Sequence, residues 1–311
     1  MSNKGTVVSV NVSLKKGVIK TPVLHVNVDS LGIVGDAHAG KWQRQISLLS
    51  REQIDLFSKE TGKEILPGQF AENLTVSGLQ LSGITILDRF RTGTVELEVT
   101  QLGKSCHGDK CAIYQELGKC VMPKEGIFCR VVQGGIVKPG DFIEYVPKTL
   151  KILIITLSDR AFSGFYTDRS GPRISDILKE KFESKKRHLK IDNMILSDEV
   201  EKLRHALTQA INDKVDVIFT CGSTGVGPRD IAPETVESVS EKTIPGIMEN
   251  IRIKYGKDRP SVLLSRSVAA IAATTQIYTL PGSVRAVEEY LAEILKTLDH
   301  AILMIHGIDA H

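Results

Sequence analysis

The sequence predicts two domains: a mostly-β, barrel-like domain at residues 1–147 and an α/β domain with a mainly parallel sheet at residues 148–311. A change along the chain supports this prediction. Up to about Tyr145, short β-rich runs alternate with glycine and proline turns, whereas after Pro147 strand-like and helix-like segments alternate. A chain of 311 residues is also long enough for two domains that each bury a core.

The first domain contains strand-like runs that are rich in β-branched residues or alternate in polarity, at residues 6–12, 22–28, 84–87 and 95–99. Glycine and proline mark the turns between them. One helix is predicted from Ser50 to Lys59, because Ile54 and Phe57 lie on one face at helical spacing. These elements are typical of a barrel or a curled sheet.

The second domain begins with an apolar run at residues 151–156, typical of a strand buried on both faces. Further strands are predicted at residues 189–196, 215–220 and 276–280. Apolar residues at helical spacing predict helices over residues 171–184, over residues 200–211, and from Ser283 through Leu298. Alternating strands and helices imply a parallel sheet that is covered by helices.

Composition argues against several classes of protein. Hydrophobic residues make up 41% of the chain and charged residues 25%, as in a soluble globular protein. The net charge of +3 and one short basic run, at residues 185–187, argue against a nucleic-acid partner. No apolar run approaches the roughly 20 residues of a membrane span, and the N-terminus lacks the apolar region of a secretory signal. We therefore expect a cytoplasmic protein without a membrane partner.

Polar or glycine-rich clusters follow the predicted strands of the second domain. Ligands of open α/β sheets bind beyond the carboxyl ends of the strands, so we expect these clusters to form one site. Ser283 is also positioned to cap the last helix. The clusters are Ser158-Asp159-Arg160, Ser197-Asp198-Glu199, Gly222-Ser223-Thr224-Gly225 with Arg229-Asp230, and Pro281-Gly282-Ser283.

The residue types in these clusters suit phosphate chemistry. Glycine-rich loops expose backbone N–H groups to phosphate oxygens, and Asp198 and Asp230 supply the hard oxygen ligands that magnesium prefers. Arg160 and Arg229 would offset charge on a phosphoryl group. Structural alternatives stay open for the acids: Asp198 could cap the following helix, and Asp230 could pair with Arg229 or cap the helix near Glu234.

These motifs resemble those of the MogA/MoaB family over about residues 150–311. Besides the clusters above, the resemblance is carried by Asp168-Arg169-Ser170-Gly171-Pro172, by Pro228-Arg229-Asp230-Ile231-Ala232-Pro233-Glu234 and by Leu264-Ser265-Arg266. It implies a three-layer α/β fold, commonly a homotrimer, that uses Mg²⁺ and ATP to adenylylate molybdopterin. The terminal phosphate of the pterin would attack the α-phosphate of ATP, and pyrophosphate would leave.

The resemblance also implies roles for individual residues. Asp198 and Asp230 match two acidic residues that are associated with catalysis and with magnesium. The implied substrate and nucleotide site comprises Ser158, Asp159, Arg160, Ser170, Gly171, Gly222, Ser223, Thr224, Gly225, Arg229, Ser265, Arg266, Pro281, Gly282 and Ser283.

Two positions depart from the family pattern. Ser223 stands where the family usually has glycine, and Val284 stands where proline often follows. If residue 223 requires a positive φ angle, a serine there costs on the order of 1 kcal/mol. A hydrogen bond of its hydroxyl group could offset that cost.

Three clusters stand out in the first domain, and each has a structural alternative. Asp36 in Gly35-Asp36-Ala37-His38 could simply hydrogen-bond within a turn, and Glu72-Asn73 could be loop scaffolding. Cys120 and Cys129 suit small buried positions, whereas Cys106, between Lys104 and His107, is the best candidate for a reactive thiol. A structural metal is a further alternative, although Cys106, Cys111, Cys120 and Cys129 lack the spacing of a zinc CxxC pair.

Together these clusters resemble a MOSC domain over about residues 5–146. The resemblance implies a β-rich domain that binds the molybdenum cofactor or carries sulfur on a cysteine. Cys106 best matches that cysteine, with Cys111 as the alternative. The implied site also includes Asp36, His38, Arg44 and Asn73.

The two halves together predict a bifunctional protein of molybdenum cofactor assembly, because tethering raises the effective concentration of a shared intermediate. The expected partners are molybdopterin, ATP and other cofactor-assembly proteins. The alternative is a non-catalytic carrier of molybdopterin or of the finished cofactor. A P-loop phosphotransferase is disfavoured, because no Gly-Lys-Ser/Thr follows the glycine-rich loop.

Overall fold

The computed structural model describes residues 3–81, 83–105 and 120–309. The chain divides into two compact units, Met1–Lys148 and Thr149–His311. Each unit has its own sheets and its own buried core. The prediction of two domains is therefore confirmed. Within the described ranges, every helix is too short or too polar to span a membrane.

The first unit is built around a closed barrel. Its strands are β1 (Lys4–Val12), β2 (Thr21–Val23), β3 (Val26–Asp29), β4 (Gly32–Ile33), β5 (Ile46–Ser50), β6 (Leu74–Ser77), β7 (Arg89–Thr92), β8 (Val95–Leu102), β9 (Ile127–Gln133), β10 (Gly135–Val137) and β11 (Phe142–Val146). The barrel follows the order β11-β7-β8-β9-β5-β6-β1 and closes because β1 also pairs with β11. Neighbouring barrel strands are antiparallel except β5 and β6, which are parallel. The predicted mostly-β, barrel-like fold is confirmed.

The predicted helix of this unit is present as α1 (Arg51–Thr61), followed later by the short α2 (Met122–Glu125). The hydroxyl of Ser50 accepts the N–H of Gln53 at 3.0 Å and so caps α1. Ile54 and Phe57 are buried, as their spacing predicted. Gly62 ends the helix in the left-handed conformation, with φ of 68°.

Two predicted strands of the first unit differ from the structure. Residues 22–28 form two strands, because β2 pairs with β1 whereas β3 pairs with β10 in a separate small sheet. The strand predicted at residues 84–87 is wrong. A turn lies there, closed by the Thr85 N–H, which donates to Asp88 Oδ2 at 2.6 Å, and Leu87 has a φ of 78°.

The second unit contains one six-stranded sheet with helices between its strands. The strands are β12 (Thr149–Leu157), β13 (His188–Leu196), β14 (Val217–Cys221), β15 (Lys242–Thr243), β16 (Ala269–Ala272) and β17 (Thr275–Leu280). The helices are α3 (Asp159–Phe162), α4 (Ser170–Glu183), α5 (Val200–Asn212), α6 (Ala232–Val239), α7 (Pro245–Gly256), α8 (Val284–Ile294) and α9 (Leu298–Ile305), with a 3₁₀ helix at Pro260–Leu264. The sheet order is β13-β12-β14-β17-β16-β15, in which the first four strands are parallel.

Helices cover both faces of this sheet. On one face, Leu203 and Leu207 of α5 and Val236 of α6 join the apolar cluster of Ile155 and Ile218 from the sheet. On the other face, α4 lies against β12 and β13, and α8 lies against β17 and α4. The three-layer α/β fold with a mainly parallel sheet is therefore confirmed. The helix predicted from Ser283 through Leu298 is shorter than expected, because α8 ends at Ile294 and Leu298 begins α9.

Candidate functional site

The parallel strands bring four loops of the second unit to one edge of the sheet. These loops follow β12, β13, β14 and β17, and they carry the polar and glycine-rich clusters that the sequence singled out. Two clefts open among them. The larger measures about 890 Å³ and the smaller about 350 Å³.

The larger cleft contains predicted residues from three loops. Its lining comprises Thr156, Leu157, Ser158, Arg160, Ala161, Tyr166, Asp168, Arg169, Ser170, Pro172, Arg173, Asp176, Cys221, Gly282, Ser283 and Val284. Tyr166, Arg169 and Arg173 were not predicted as site residues. Their only sequence signal was their place in or beside the Asp168-to-Pro172 motif. The Arg169 Nε donates to the Tyr166 hydroxyl at 3.1 Å.

Asp168 organises the start of α4 at this cleft. Its Oδ1 accepts the N–H groups of Ser170 and Gly171 at 2.9 and 3.2 Å, and its Oδ2 accepts the Thr156 hydroxyl at 2.8 Å. A Cβ at Gly171 would lie 2.5 Å from Asp168 Oδ2, so a larger residue there would displace the Asp168 carboxylate. The Ser170 hydroxyl then donates to Gly282 O at 2.8 Å. Ser170 and Gly171 therefore join α4 to the loop that follows β17.

The smaller cleft lies beside the glycine-rich loop that follows β14. Its lining comprises Ser223, Thr224, Gly225, Asp230, Ser261, Val262, Leu264, Ser265, Pro281, Gly282, Ala286, Glu289 and Tyr290. Gly222 has a φ of 103°, and a Cβ there would lie 2.4 Å from Leu157 O. The loop can therefore leave β14 in this direction only with glycine at position 222. Gly282 lines both clefts, so the two cavities meet at this residue.

Ser223 adopts the left-handed conformation, with φ of 58°. Its hydroxyl donates to Arg229 O and accepts the Ile231 N–H, both at 2.8 Å. The expectation of a positive φ with a compensating hydroxyl hydrogen bond is confirmed. Ser283 likewise caps α8 as predicted, because its hydroxyl accepts the Ala286 N–H at 3.2 Å.

Asp198 lies beside Asp159 at the ends of β12 and β13. The Asp159 N–H donates to Asp198 Oδ2 at 3.3 Å, and the Asp198 N–H donates to Asp159 Oδ1 at 3.1 Å. Arg229 Nη2 lies 2.6 Å from Asp159 Oδ2. Burial raises the pKa of Asp198, and the negative charge of Asp159 raises it further. The helix-cap alternative for Asp198 is wrong, because Glu199 is the N-cap of α5 and no side chain caps that end.

Asp230 closes the turn that leads from the glycine-rich loop to α6. Its Oδ2 accepts the Gly227 N–H at 2.7 Å. The alternatives of pairing with Arg229 and of capping α6 are wrong, since Arg229 pairs with Asp159 and Ile231 is the N-cap without a side-chain bond. Asp230 lines the smaller cleft, whereas Asp198 lines neither of the two clefts. In the described part of the chain, no hydrogen bond joins these two acids.

Arg266 donates hydrogen bonds to the glycine-rich loop that follows β14 and to the turn after it. Its backbone N–H donates to Thr224 O at 2.9 Å, its Nε donates to Gly225 O at 2.6 Å, and its Nη2 donates to Asp230 O at 2.8 Å. Ser265 is tied to α8, because its hydroxyl accepts the Tyr290 hydroxyl at 2.9 Å. These contacts give Arg266 a structural role, since it holds the carbonyl groups of the loop and leaves the N–H groups for a ligand.

A third cleft, of about 380 Å³, opens in the first unit. We call it the basic cleft, because its lining includes four basic residues and no carboxylate among the residues that the structure describes. The lining comprises Lys16, Gly17, His38, Trp42, Arg44, Ser47, Ala71, Asn73, Lys104, Met122 and Phe128. The predicted residues His38, Arg44 and Asn73 therefore lie together, whereas Cys106 and Cys111 lie outside the described residues.

Three basic side chains of the basic cleft contact the Trp42 ring. The Lys16 Nζ lies 4.7 Å from the centroid of this ring and the Arg44 guanidinium 5.0 Å. The His38 ring stacks on it with the centroids 6.1 Å apart and 14° between the planes. No sequence pattern pointed to Lys16, but Trp42 is the only tryptophan of the chain and stands two residues before Arg44.

Asp36 lies behind the basic cleft rather than in it. Its Oδ2 accepts the Ser13 N–H at 3.0 Å and pairs with Lys20 Nζ at 2.5 Å, and both side chains are fully buried. Although burial opposes the effect, hydrogen bonds from Lys20 and from the backbone N–H of His38 hold the pKa of Asp36 below its usual range. The alternative of a hydrogen-bonded turn aspartate is confirmed, because Asp36 Oδ1 also accepts the His38 N–H at 2.9 Å.

Glu72 and Asn73 act as scaffolding, as the structural alternative held. Glu72 Oε1 accepts the Gly68 N–H at 2.6 Å and the Thr75 hydroxyl at 2.8 Å, and burial raises the pKa of this carboxyl group. Asn73 Oδ1 accepts the hydroxyl of Ser47 at 3.1 Å. Asn73 also lines the basic cleft, so the same side chain holds Ser47 by a hydrogen bond and forms part of the cavity wall.

Two of the described cysteines, Cys129 and Cys221, are buried, and burial disfavours their thiolate forms. Cys129 is buried, as predicted, and burial raises its pKa. Burial also raises the pKa of Cys221 to about 12. Cys120 is half-buried. Within residues 3–81, 83–105 and 120–309, no three His, Cys, Asp or Glu side chains gather as a metal site.

Comparisons with known proteins match both halves of the chain. A family model described as a probable molybdopterin binding domain matches residues 153–300, and a MOSC domain model matches residues 35–144. Molybdopterin adenylyltransferase of Helicobacter pylori is 32% identical over 161 residues, which cover 51% of this chain and 90% of that protein.

Two further proteins match the same half. Gephyrin of Dictyostelium discoideum is 36% identical over 160 residues, and the match covers 50% of this chain but only 22% of gephyrin. A solved structure described as an anomalous substructure of MogA is 35% identical, with 50% of this chain and 99% of that chain covered and a TM-score of 0.45. Through its C-terminal half the chain belongs to the MogA/MoaB-like molybdopterin adenylyltransferase family of molybdenum cofactor biosynthesis, and its N-terminal half carries a MOSC domain.

Proposed function

We propose that the C-terminal unit transfers AMP from ATP to the terminal phosphate of molybdopterin and releases pyrophosphate. The observation that carries this proposal is the pair of clefts that meet at Gly282. A transfer between two bound anions needs two adjoining cavities whose shared border lies at the reacting phosphates. Gly282, in the Pro281-Gly282-Ser283 turn, lines both clefts and would form that border.

The charges around the larger cleft support an anionic substrate. Arg160, Arg169 and Arg173 line it together with two acids, Asp168 and Asp176. The Asp168 carboxylate accepts two N–H groups of α4, and Arg173 pairs with Glu288 at 2.7 Å, so Arg160 and Arg169 are the main source of positive charge. Guanidinium groups bind phosphate oxygens in a bidentate manner. These arginines would therefore position the pterin phosphate and offset charge as it reacts.

In the proposed reaction, an oxygen of the pterin phosphate bonds to the α-phosphorus of ATP. The bond from that phosphorus to the bridging β-phosphate oxygen breaks, and pyrophosphate leaves with the electron pair. Backbone N–H groups of the loop from Ser223 to Gly225 would bind the nucleotide phosphates, since the Gly222 N–H donates to Leu280 O at 2.8 Å. Positioning and charge neutralisation would supply most of the acceleration.

We further propose that Asp198 and Asp230 hold Mg²⁺ together with the substrate phosphates. Asp198 lines neither cleft but lies beside Asp159 at the same edge of the sheet, and its ionised form is disfavoured by burial and by that neighbour. A bound cation would offset both effects. Magnesium commonly takes one or two carboxylates plus phosphates. When bound, it would neutralise charge on the phosphoryl groups.

An assay of pyrophosphate release tests this function. The full chain with molybdopterin, ATP and magnesium should release pyrophosphate, and Asp230→Ala should lower the rate at least about a hundredfold. Asp192→Ala is the matched control, because Asp192 has a side chain that is 61% exposed and lines neither cleft. Tight pterin binding without turnover by the wild-type chain would favour the carrier function instead.

We propose that the N-terminal unit binds the phosphate group of molybdopterin or of the finished cofactor in the basic cleft. Lys16, Arg44 and Lys104 supply positive charge, and the Trp42 ring supplies a flat apolar surface. Lys16→Met should weaken pterin binding to this unit several-fold. The neighbouring Lys15→Met, at an exposed position outside the cleft, should not. Equal affinities of both variants would count against the proposal.

The second proposed activity of this unit is the transport of sulfur on Cys106 or Cys111. These residues lie outside the described ranges, so chemistry must distinguish them. A persulfide label that is lost in Cys106→Ser and kept in Cys111→Ser would assign the carrier. A label that both variants retain would remove this activity.

A further inference from the structure

Lys20 is a buried lysine whose ammonium group has a defined set of partners. Its side chain is fully buried and its Nζ lies 2.5 Å from Asp36 Oδ2, whose side chain is fully buried too. The same Nζ lies 3.3 Å from His38 Nδ1 and 3.4 Å from the Ser13 hydroxyl. Buried ion pairs are weak evidence for stabilisation, because desolvation offsets the attraction. The contact with His38, a residue of the basic cleft, indicates another role.

Contacts with Gly68 hold the backbone of Lys20 in place. The Lys20 N–H donates to Gly68 O at 2.9 Å. Gly68 has a φ of 90°, and a Cβ there would lie 2.3 Å from Lys20 O. Glu72 Oε1 accepts the Gly68 N–H at 2.6 Å, and Glu72 is completely buried. The Lys20 backbone is therefore held by Gly68 and Glu72, and the ammonium group is held by its own partners Asp36, His38 and Ser13.

This position determines which nitrogen of His38 carries the proton. An ammonium group can only donate hydrogen bonds, so a proton on Nδ1 would point at a second donor 3.3 Å away. The alternative acceptor, Asp36 Oδ1, lies 3.4 Å from Nδ1 and accepts a hydrogen bond from the His38 backbone N–H at 2.9 Å, whereas the hydrogen-bond contact of the ring nitrogen is with Lys20 Nζ. The arrangement therefore favours an Nδ1 that accepts from Lys20.

We infer that Lys20 is a positioning residue that holds neutral His38 with its proton on Nε2, so that a donor faces the basic cleft. The His38 side chain is 25% exposed, and its Nδ1 edge faces the buried pair, which leaves the Nε2 edge toward the cavity. A phosphate oxygen would accept that N–H, whereas an unprotonated Nε2 would repel it. This consequence for binding depends on the proposed anion-binding function, but the tautomer itself does not.

Nitrogen-15 NMR of the wild-type chain tests the tautomer directly. The His38 signals can be assigned among the eight histidines by comparison with His38→Gln. We expect the shifts of an unprotonated Nδ1 and a protonated Nε2 in the neutral ring. A proton on Nδ1, bonded to Asp36, would overturn the inference.

Two variants test the role of Lys20. Lys20→Met leaves Asp36 unpaired and could unfold the barrel, so Lys20→Met with Asp36→Asn removes both charges together. In a folded variant we expect mixed His38 tautomers and a dissociation constant for inorganic phosphate that rises several-fold. The double variant leaves the net charge unchanged, and the exposed Lys59→Met is the control for the single Lys20→Met variant, which loses one positive charge.

The outcomes separate the inference from the proposed function. An unchanged tautomer in the folded double variant would contradict the positioning role. If the wild-type chain binds no phosphate but shows the Nε2 tautomer, the anion-binding function fails and the positioning role stands.

Discussion

At the scale of single residues, the site uses side chains to hold unusual backbone. Ser223 has a φ of 58°, and its hydroxyl joins Arg229 O to the Ile231 N–H. The positive φ at residue 223 and a compensating hydrogen bond of its hydroxyl group could be predicted from the sequence, because Ser223 stands where the family usually has glycine. The partners of the hydroxyl could not be predicted, since they depend on how the loop folds back toward α6.

Substitutions at Ser223 separate strain from hydrogen bonding. Ser223→Ala keeps the left-handed strain and loses both hydrogen bonds, so it should lower the free energy of unfolding by about 2 kcal/mol. Ser223→Gly also loses them but relieves about 1 kcal/mol of strain, so its net cost should be about 1 kcal/mol. Urea unfolding followed by circular dichroism measures both, since the only tryptophan, Trp42, reports on the other unit. A glycine variant that is less stable than the alanine variant would contradict this account.

Asp198 should show a conflict between stability and activity. Its folded pKa is raised above the ordinary 3.8, so the ionised form destabilises the fold at neutral pH. Asp198→Asn should therefore raise the thermal midpoint slightly at pH 7 while lowering turnover. The gain should shrink as the pH falls and disappear below about 3.8, where the wild-type residue is protonated in both states. Asp192→Asn should change neither property, and a neutral-pH loss of stability in Asp198→Asn would contradict the sign.

At the scale of elements, strong apolar periodicity was sufficient for prediction. The helices α1, α4 and α5 and the strands β12, β14 and β17 were found from sequence because each buries a regular pattern. The short elements α3, β15 and β16 were missed, because two to four residues carry no period. The 12-residue helix α7 was also missed, because it buries only Met248, Ile251 and Gly256 and so has a weak apolar pattern. Residues 84–87 were wrongly predicted as a strand. They form a turn in which Asp88 Oδ2 accepts the Thr85 N–H, and a four-residue apolar pattern does not reveal that contact.

The end of β14 provides a test at this scale. Gly222→Ala must accommodate both a φ of 103° and a Cβ 2.4 Å from Leu157 O. We expect a loss of about 2–3 kcal/mol in unfolding free energy, together with lower turnover. Gly307→Ala is the control, since its φ of 66° is strained in the same way but no atom lies within 4 Å of the added Cβ. It should cost only about 1 kcal/mol, and equal costs would show that the contact with Leu157 is unimportant.

At the scale of the whole molecule, the order of the parallel strands made the candidate site predictable. Loops that follow β12, β14 and β17 contribute residues to the adjoining clefts, as expected from strands that end at one edge. The Ser197-Asp198-Glu199 cluster that follows β13 was expected in the same site but lines neither cleft. The pairing of Asp198 with Asp159, and the contact of Lys20 with His38, could not be predicted. Such contacts depend on how loops that are distant in the sequence approach each other in space. Local residue patterns do not predict that approach.

In the proposed function the C-terminal unit joins AMP from ATP to molybdopterin, and mass spectrometry of the pterin tests this reaction most directly. The full chain should be incubated with molybdopterin, ATP and magnesium, and the pterin then analysed. We predict a product heavier by one adenylyl group, formed in equal amount to pyrophosphate and absent with Asp230→Ala. An unmodified pterin, in a preparation from which an authentic molybdopterin adenylyltransferase makes the product, would contradict the claim.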